Sequence, residues 1–323
     1  MKILVTGAAG FLGSHLTEKL VEKGHDVKAF VHYDPNNNWG WLEKSKYKKY
    51  IEFIVGDIRD FDSVYSSIKG VDEVFHLAAL IGIPYSYVSP LAYIKTNIEG
   101  TYNVIQSAKQ LGTKNIMITS TSETYGSAQY VPMDEDHPKV GQSPYSATKI
   151  GADNLALSFY RSFGLPIKVV RPFNIYGPRQ SARAIIPTIA SQILNGSKKI
   201  KLGNLNVKRD LTFVKDTVSA FIEISKQKKF SGDTVNIGMN KEVSIKELVD
   251  KIAKILNKKI EIISDKKRIR PTKSEVNRLL CNNSKLKKHT KWKPKYNLDK
   301  GLKETIEWMK ENKKFFKPNM YNL

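Results

Sequence analysis

The chain of 323 residues is long enough for one large domain or two coupled domains, and 41% of its residues are apolar. No stretch approaches the ~20 consecutive apolar residues of a membrane helix, so we expect no membrane association. Met1 leads directly into a strand-like segment, which argues against a secretory signal. Cys281 is the single cysteine, so no disulfide can form within the chain and we expect a cytoplasmic protein.

The formal net charge is +22, which would suit a nucleic-acid partner. The cations are 44 lysines against only 9 arginines, although the arginine fork is the side chain that favours bidentate recognition of phosphates and bases. The sequence also lacks zinc-finger spacing and RNA-binding signatures. We interpret the charge as lysine on solvated faces, and we expect neither a nucleic-acid partner nor a bound metal.

A glycine-rich turn near the N-terminus lies between a predicted strand and a predicted helix. Residues 2–5 are strand-like, residues 14–23 have apolar side chains at helical spacing, and residues 27–31 form the next strand-like run. Glycines let such a turn approach a pyrophosphate, and the helix N-terminus adds amide donors. This order predicts a dinucleotide site. The turn residues expected to bind the cofactor are Gly7, Gly10, Phe11, Leu12 and Gly13.

Polar residues also follow a later predicted strand. The apolar-rich residues 115–119 lead into residues 120–126, which carry several hydroxyls and one carboxylate, Glu123. Open α/β sheets bind ligands at the carboxyl ends of their strands. Tyr145 and Lys149 lie four apart in a helical pattern, so their side chains share one face. A nearby cation favours the phenolate, and the pair therefore predicts proton transfer at a sugar hydroxyl during hydride transfer.

The glycine spacing after Thr6 and the Tyr145–Lys149 pair resemble the extended short-chain dehydrogenase/reductase family. The resemblance implies an α/β fold with a Rossmann-type doubly wound parallel sheet. It also implies a nicotinamide dinucleotide that stays tightly bound and is recycled within each catalytic cycle. Asn97 would support the active site, although the same residue could cap a helix. The other positions that the resemblance assigns to the cofactor are His32, Asp57, Ile58, Leu77, Ala78, Ala79, Tyr145 and Lys149.

The end of the second strand departs from the family pattern. An acidic residue is expected there, because it binds the ribose 2′-hydroxyl and repels a 2′-phosphate. Val31, His32 and Tyr33 occupy that end, and Asp34 comes slightly late. The arginine expected for a phosphorylated cofactor is missing as well. The residues therefore leave NAD and NADP both open, and the family resemblance favours NAD.

Glu123 separates two reaction classes. A sugar 4-epimerase needs oxidation, rotation and reduction, without a second base. A 4,6-dehydratase must also remove the C5 proton and expel the C6 hydroxyl, and a carboxylate beside Thr121 supplies that base. Residues 120–126 resemble the nucleotide-sugar 4,6-dehydratases, so we expect this activity and keep the 4-epimerase, or a capping role for Glu123, as alternatives. The expected catalytic residues are Thr121, which aligns the sugar hydroxyl, Ser122, which orients the leaving hydroxyl, Glu123, Tyr145 and Lys149.

Several downstream residues match family positions that bind a nucleotide-diphosphate sugar. Asn174 would contact a phosphate or sugar oxygen, and Arg209 and Arg270 would clamp the pyrophosphate. Glu275 would pair with the ribose or with one of these arginines. A surface salt bridge is the alternative, above all for Arg270. The full set of expected substrate-binding residues is Asn174, Arg179, Arg209, Arg270 and Glu275.

Prolines and glycines cluster where the pattern changes, at Pro172, Gly177, Pro178 and Pro187. We expect residues 1–175 to form the NAD(P)-binding domain, with later strand contributions near 210–238. Residues 176–323 would form mainly a smaller C-terminal α/β substrate-binding region. The helical patterns near 96–111 and 145–163 resemble the helices of the family's four-helix dimer interface, which implies a homodimer. Alternatively, these helices only cover one face of the sheet.

Over nearly its whole length the chain is most similar to the 4,6-dehydratases of the legionaminic acid pathway. The stretches that carry this similarity are residues 31–42, 79–87, 142–149 and 177–184. The resemblance implies GDP- or UDP-linked N-acetylglucosamine as substrate and a 4-keto-6-deoxy product for cell-surface glycan biosynthesis. A non-catalytic nucleotide-binding or nucleic-acid-binding relative is the remaining hypothesis, and the intact Tyr145 and Glu123 argue against it.

Overall fold

The largest sheet is parallel throughout and has seven strands. The computed structural model describes residues 1–269 and 271–318. Strands buried on both faces, as residues 115–119 and 167–172 are, require helices on each side of a parallel sheet. In spatial order the strands are β10 (Asp233–Ile237), β6 (Ile167–Pro172), β5 (Asn115–Thr119), β4 (Glu73–His76), β1 (Lys2–Thr6), β2 (Asp26–Val31) and β3 (Ile51–Val55).

Helices cover both faces of this sheet. α1 and α8 pack together on one face, while α2, α5 and α6 pack on the other. Within the described residues no helix is long and apolar enough to cross a membrane. The α-helices are α1 (Phe11–Glu22), α2 (Phe61–Ile68), α3 (Ile83–Val88), α4 (Pro90–Tyr93), α5 (Gly100–Gln110), α6 (Pro144–Phe163), α7 (Ile185–Leu194), α8 (Val214–Ser225), α9 (Ile245–Ile255), α10 (Ser284–His289) and α11 (Leu298–Glu311).

The remaining strands form smaller sheets after residue 173. They are β7 (Asn174–Tyr176), β8 (Lys199–Leu202), β9 (Lys208–Phe213), β11 (Glu242–Ser244), β12 (Glu261–Ser264) and β13 (Arg278–Leu279). β9 pairs with β7, β11 and β13, and β8 pairs with β12. Helices α7, α9 and α11 pack together against these strands around a separate apolar core.

The predicted doubly wound parallel sheet is confirmed. Of the strands expected near residues 210–238, β10 joins the large sheet beside β6, whereas β9 belongs to the smaller sheet. The division into domains at residue 175 stays a prediction. The chain passes several times between the core of the large sheet and the core of the smaller α/β region. The carboxyl ends of the large sheet face the smaller region.

Helix α6 begins at a well-defined cap. The Ser143 hydroxyl accepts the backbone N–H of Ser146 at 3.1 Å, and the Ser146 hydroxyl accepts the N–H of Ser143 at 3.0 Å. Pro144 occupies the first helical position, where its missing N–H costs nothing. The helix ends at Gly164, whose φ of 67° is left-handed. These signals fix the start of the helix one residue before Tyr145.

A buried ion pair joins β6 to α6 beneath residues 120–125. Arg171 donates from Nε and Nη2 to Asp153 Oδ2 at 3.1 and 2.9 Å, and Ser120 donates to the same oxygen at 2.7 Å. Arg171 Nη1 also donates to the Tyr125 hydroxyl, which in turn donates to Asn236. The side chains of the ion pair are at most 1% exposed. These hydrogen bonds therefore connect the turn after β5 to β6, α6 and β10.

Arg171→Met should lower the free energy of unfolding by about 3–5 kcal/mol, because Asp153 would keep a buried charge without its cation. The double variant Arg171→Met/Asp153→Leu should recover most of that loss. Urea unfolding followed by circular dichroism measures both changes. Arg278→Met is the matched control, since Arg278 pairs with Glu242 at the surface and should cost about 1 kcal/mol or less. A single variant as stable as the wild type would contradict the expectation.

Candidate active site

A cavity of about 920 Å3 lies along the carboxyl ends of the large sheet. One end is lined by the turn after β1 and by the ends of β2 and β3. The ends of β4 and β5 and the start of α6 line the middle, and residues of the smaller α/β region line the other end. Ligand sites of about 300–1,000 Å3 are typical of proteins, and α/β sheets place them where the strand order reverses. Here that point is β1, between β2 and β4.

Close packing requires glycine at two positions of the turn after β1. Gly7 has a φ of +68°, and a Cβ there would lie 2.8 Å from the Ala78 nitrogen. A Cβ on Gly13 would lie 2.1 Å from the Gly7 oxygen. No side chain caps the first turn of α1, whose N-cap is Gly10, and an uncapped helix N-terminus attracts a phosphate. The turn therefore fits a dinucleotide, and all five predicted residues (Gly7, Gly10, Phe11, Leu12 and Gly13) line the cavity.

The end of β3 brings a carboxylate and a guanidinium into the same part of the cavity. Asp57 Oδ1 accepts the Arg59 backbone N–H and the Arg59 Nε–H, each at 2.9 Å. These hydrogen bonds lower the pKa of Asp57 to about 2. His32 Nε2 lies 3.7 Å from Asp57 Oδ2. The predicted residues His32, Asp57 and Ile58 line the cavity, and so does Arg59, which the sequence analysis left without a role.

A neutral histidine supports the end of β4. The Thr6 hydroxyl accepts the backbone N–H groups of Leu77 and Ala78, both at 3.1 Å, so it donates its own proton to His76 Nδ1 at 2.8 Å. The opposite ring nitrogen then donates to the Thr101 hydroxyl at 3.1 Å. Burial lowers the pKa of His76 to about 3, with a smaller contribution from the charge of Lys149. The predicted cofactor-site residues Leu77, Ala78 and Ala79 line the cavity directly above this network.

Asn97 joins the loop after β4 to helix α6. It is fully buried within the π-helical turn Ile94–Glu99. Its Nδ2 donates to the Leu80 carbonyl at 3.0 Å and to the Thr148 hydroxyl at 3.1 Å, and its Oδ1 accepts the Leu80 N–H at 2.9 Å. Thr148 in turn donates to the Tyr145 carbonyl at 2.8 Å. Asn97 is therefore not a helix cap, and it links the cavity wall to the start of α6.

Tyr145 lies in the middle of the cavity wall, beside Thr121. The Tyr145 ring packs edge-on against Tyr93 with centroids 6.2 Å apart. Burial raises the pKa of Tyr145 above its ordinary value and the charge of Glu123 adds to the rise, while the Thr121 side chain and the charge of Arg183 oppose it. Deprotonation of this phenol therefore depends on the polar groups that face it.

Lys149 lies beneath the wall on the same face of α6. Its ammonium donates to the Thr119 carbonyl at 2.7 Å, and burial lowers its pKa. The side chain is 3% exposed and does not line the cavity. The helix thus places Tyr145 at the cavity and Lys149 behind it, and the cofactor contact expected for Lys149 stays a prediction.

The short helical turn Ser122–Tyr125 carries the other predicted catalytic residues. Its cap is the Thr121 hydroxyl, which accepts the Glu123 N–H at 3.2 Å, so the Glu123 carboxylate does not cap this turn. Thr121 and Glu123 line the cavity together with Tyr145. Ser122 is 2% exposed and does not line it. The role expected for Ser122 at the leaving hydroxyl stays a prediction.

The far end of the cavity contains polar groups suited to a ligand. Asn174 Oδ1 and Gln180 Oε1 are both buried without a hydrogen-bond partner in the described part of the chain, and both residues line the cavity. A buried acceptor without a donor is costly, so these atoms suit a ligand that donates. Gln180 was not among the expected substrate-binding residues, because nothing in its sequence context distinguishes it.

The predicted arginines fall into three situations. Arg209 lines the cavity and its Nη2 lies 3.5 Å from Glu275 Oε1, which lines the cavity too. Arg179 does not line it, and its guanidinium pairs with Glu18 of α1 at 2.9 and 3.0 Å. Arg270 lies outside the described residues. The substrate contacts expected for these side chains remain predictions.

Arg183 lies near Gly82 and its charge acts on the Tyr145 phenol, and this position was not predicted from the sequence. Its Cζ lies 3.8 Å from the position that a Cβ on Gly82 would take, and it lines the cavity. Its charge lowers the pKa of both Tyr145 and Tyr93. Arg183 lies just before α7 in the sequence, far from α6. Folding of the chain brings it close to the start of α6. Among the described residues no group of three or more His, Cys, Asp or Glu side chains could hold a metal ion.

Comparison with known proteins identifies the family. A family model described as GDP-mannose 4,6-dehydratase matches residues 4–305. A putative UDP-glucose 4-epimerase of Methanocaldococcus jannaschii is 32% identical over 315 residues, which cover 96% of this chain and 99% of the relative. A UDP-N-acetyl-alpha-D-glucosaminuronate decarboxylase of Bacillus cytotoxicus is 32% identical over 324 residues, which cover 96% and 98%.

Solved structures agree with these sequence matches. The crystal structure of DesIV, a dTDP-glucose 4,6-dehydratase from Streptomyces venezuelae with NAD and TYD bound, superposes with a TM-score of 0.87 at 26% identity. The match covers 98% of this chain and 99% of the DesIV chain. The NAD in this relative bears out NAD as the cofactor of the family. The chain therefore belongs to the GDP-mannose 4,6-dehydratase family of the extended short-chain dehydrogenases/reductases that act on nucleotide sugars.

Proposed function

We propose that this protein is an NAD-dependent nucleotide-sugar 4,6-dehydratase. The observation that carries the proposal is the presence of Thr121, Glu123 and Tyr145 on one wall of the cavity. A tyrosine and a threonine suffice for oxidation at a sugar hydroxyl, whereas elimination of water needs a further base. The relatives include an epimerase and a decarboxylase, so the carboxylate at position 123 is the feature on which the choice of reaction depends.

The cofactor would lie along the sheet edge from His32 to Tyr145. Bound NAD supplies the hydride acceptor for oxidation at C4 and the hydride donor for reduction at C6. The glycine turn and the uncapped start of α1 would hold its pyrophosphate, and Asp57 and Ile58 would contact the adenine end.

Tyr145 would take the proton from the C4 hydroxyl as C4 is oxidised. Thr121, which lines the same wall, would hold the same hydroxyl in line. The positive charge of Arg183 favours the phenolate, and Lys149 fixes the carbonyl of Thr119 from behind the wall. Arg183 is thus a positioning residue for the proton transfer, acting through its field on the phenol.

Glu123 would then remove the C5 proton, which the C4 ketone makes acidic. The C5–H bond breaks, its electrons form the C5–C6 double bond, and the C6 hydroxyl leaves with a proton as water. Because Ser122 does not line the cavity, we assign to Glu123 the return of this proton to the leaving hydroxyl. Hydride addition at C6 and transfer to C5 of a proton that Glu123 takes up from solvent complete the 4-keto-6-deoxy sugar. The proton that Tyr145 took from the C4 hydroxyl passes to solvent, so the net change is the loss of one water.

We further propose GDP- or UDP-N-acetylglucosamine as the substrate, as the similarity to the legionaminic acid pathway enzymes implies. Leu80, Ile81, Ile83 and Pro84 line the cavity next to Tyr145 and offer an apolar surface to an acetamido methyl group. Asn174, Arg209 and Glu275 would contact the nucleotide diphosphate. A cytoplasmic location and a place in cell-surface glycan biosynthesis belong to the same proposal.

Incubation with a panel of UDP-, GDP- and TDP-linked sugars tests the activity directly. We expect mass spectrometry to show a product lighter by about 18 Da, the mass of one water, with N-acetylglucosamine substrates preferred. A product of unchanged mass would favour the 4-epimerase instead. Loss of about 44 Da as carbon dioxide from a uronic acid would favour a decarboxylase.

Glu123→Gln should lower the rate of dehydration by about a hundredfold or more, because the amide cannot accept the C5 proton. Oxidation at C4 should persist, so that absorbance of reduced nicotinamide near 340 nm still rises after substrate is added. Solvent deuterium should enter at C5 in the wild type and not in the variant. Ser122→Ala is the matched control in the same turn and should lose less activity. Full dehydration by Glu123→Gln would disprove the assignment.

Arg183→Met should shift the acidic limb of the pH–activity profile to higher pH, by about one unit. Removal of a neighbouring cation raises the pKa of the Tyr145 phenol, and the phenolate is the active form. Arg183→Lys should keep most of the wild-type profile, since the charge remains. The profile of kcat against pH with saturating substrate measures the effect. An unchanged profile in Arg183→Met, with only KM altered, would restrict Arg183 to substrate binding.

We also propose that two copies pair through the helices near residues 96–111 and 145–163. Val88 and Leu91, on the adjacent α3 and α4, are 70% and 61% exposed. Tyr102 on α5 is exposed and packs edge-on against Phe159 of α6. Contiguous exposed apolar side chains mark interaction surfaces, and these helices form one continuous face.

Tyr102→Asp should convert the dimer into a monomer, because it places a charge in the apolar interface that α5 and α6 would form. Sedimentation equilibrium should give about twice the chain mass of 36.6 kDa for the wild type and the single mass for the variant. Tyr50→Asp is the control, since Tyr50 is 59% exposed but lies beside β3. A wild-type protein that sediments as a monomer would contradict the proposal.

A further inference from the structure

The loop between β7 and α7, residues 177–184, forms part of the cavity wall, and we call it the cavity loop. Its residues that line the cavity are Gln180, Ser181, Arg183 and Ala184. Gln180 presents a buried acceptor without a partner in the described part of the chain, and the charge of Arg183 acts on the Tyr145 phenol. The position of the cavity loop therefore decides which groups a ligand meets at this end of the cavity.

The backbone of the cavity loop adopts conformations that need support from neighbouring groups. Arg179 has a φ of 71°, in the left-handed region that a residue with a Cβ rarely adopts. Such conformations persist where surrounding contacts hold them. Gly177 has a φ of +152°, and a Cβ there would lie 2.5 Å from Val214 Cγ1. The path of the cavity loop thus depends on contacts with the rest of the chain.

Helix α1 supplies such contacts through two side chains. The Arg179 guanidinium donates from Nη1 and Nη2 to the two carboxylate oxygens of Glu18, at 2.9 and 3.0 Å. His15 Nε2 donates to the Pro178 carbonyl at 3.0 Å, since a carbonyl can only accept. Burial and the charge of Arg179 lower the pKa of His15 to about 4, so the ring stays neutral at pH 7. His15 and Glu18 are three residues apart and share one face of α1.

The pair between Arg179 and Glu18 differs from an ordinary surface salt bridge. Both terminal nitrogens of the guanidinium take part, and each of the two side chains is only 18% exposed. A bidentate pair of arginine and carboxylate fixes orientation as well as distance. Lys19 and Glu22, on the same helix, are joined by one contact and are 43% and 50% exposed. Exposed pairs of that kind contribute little.

Arg179 does not line the cavity, so any effect on a ligand must pass through the cavity loop. It directly precedes Gln180 and lies four residues before Arg183. We propose that Arg179 is a positioning residue, whose pair with Glu18 holds residues 180–183 in the cavity wall and thereby sets the affinity for the nucleotide sugar. The inference rests on the proposed function, which supplies the identity of this ligand.

Isothermal titration with UDP- and GDP-linked N-acetylglucosamine tests the inference. The protein is loaded with NAD and carries Tyr145→Phe, so that C4 is not oxidised and binding is measured without turnover. Arg179→Gln should weaken nucleotide-sugar binding by about tenfold, because the cavity loop loses its contact with α1. The affinity for NAD should change by less than about twofold. Unchanged nucleotide-sugar binding would overturn the inference, and so would an equal loss of NAD binding, which would mean that the variant disturbs α1 as a whole.

A double-mutant cycle assigns the effect to the pair. Glu18→Gln should weaken binding about as much as Arg179→Gln, and the double variant should lose no more than either, because both side chains act through one contact. Glu18→Arg/Arg179→Glu should recover most of the affinity, since it restores the pair with its charges exchanged. Glu22→Gln is the matched control on the same helix and should leave both affinities unchanged. Additive losses in the double variant would contradict the proposal.

The pH profile separates positioning from a role in stability alone. With Tyr145 intact, Arg179→Gln should shift the acidic limb of the kcat profile to higher pH, as Arg183→Met does but by less, because Arg183 is held less firmly near the phenol. A lower melting temperature with unchanged binding and an unchanged profile would reduce Arg179 to a structural role and overturn the inference. Wild-type protein that binds these sugars but dehydrates none would refute the proposed function, while the titrations would still decide the role of Arg179.

Discussion

The buried pair of Arg171 and Asp153 is the constraint on which the site depends. Asp153 lies two turns along α6 from Tyr145, and its carboxylate also accepts the hydroxyl of Ser120 at 2.7 Å. The turn that carries Glu123 and the helix that carries the tyrosine are therefore fixed to one another through a single oxygen atom. A charge pair without water around it tolerates little displacement. This rigidity holds the phenol and the carboxylate in a common wall, as a reaction with two separate proton transfers requires.

A second, neutral network supports the opposite side of the wall. Thr6, His76, Thr101 and Asn97 pass hydrogen bonds from β1 across β4 to the start of α6. Because burial holds the pKa of His76 near 3, this network stays uncharged at neutral pH and adds no field at the cavity. The charges that act on the Tyr145 phenol are those of Glu123, which raises its pKa, and of Arg183, which opposes that rise. Support and electrostatics are thus supplied by different residues.

The sequence predicted those parts of the site whose signals are local. The glycine turn, the end of β5 and the spacing of Tyr145 and Lys149 each follow from a short pattern, and the parallel sheet follows from the order of the strands. The burial of Ser122 and Lys149 could not be predicted in this way, because the burial of a side chain depends on whichever element packs over it. Arg183 and Arg59 were missed for a different reason. Each arginine acts on a side chain that only the fold brings close to it. The sequence around a single arginine in a loop does not indicate which residue that will be.

Glu123, which we propose as the base, differs from the other carboxylates of the cavity. Among the described residues that line it, the acids are Asp57, Glu123 and Glu275. Asp57 is bound by Arg59, and Glu275 lies 3.5 Å from Arg209. Glu123 forms no ion pair with a described residue and lies beside the phenol instead. Two of the acids therefore face an arginine and the third lies beside the phenol, which supports the role that we propose for Glu123.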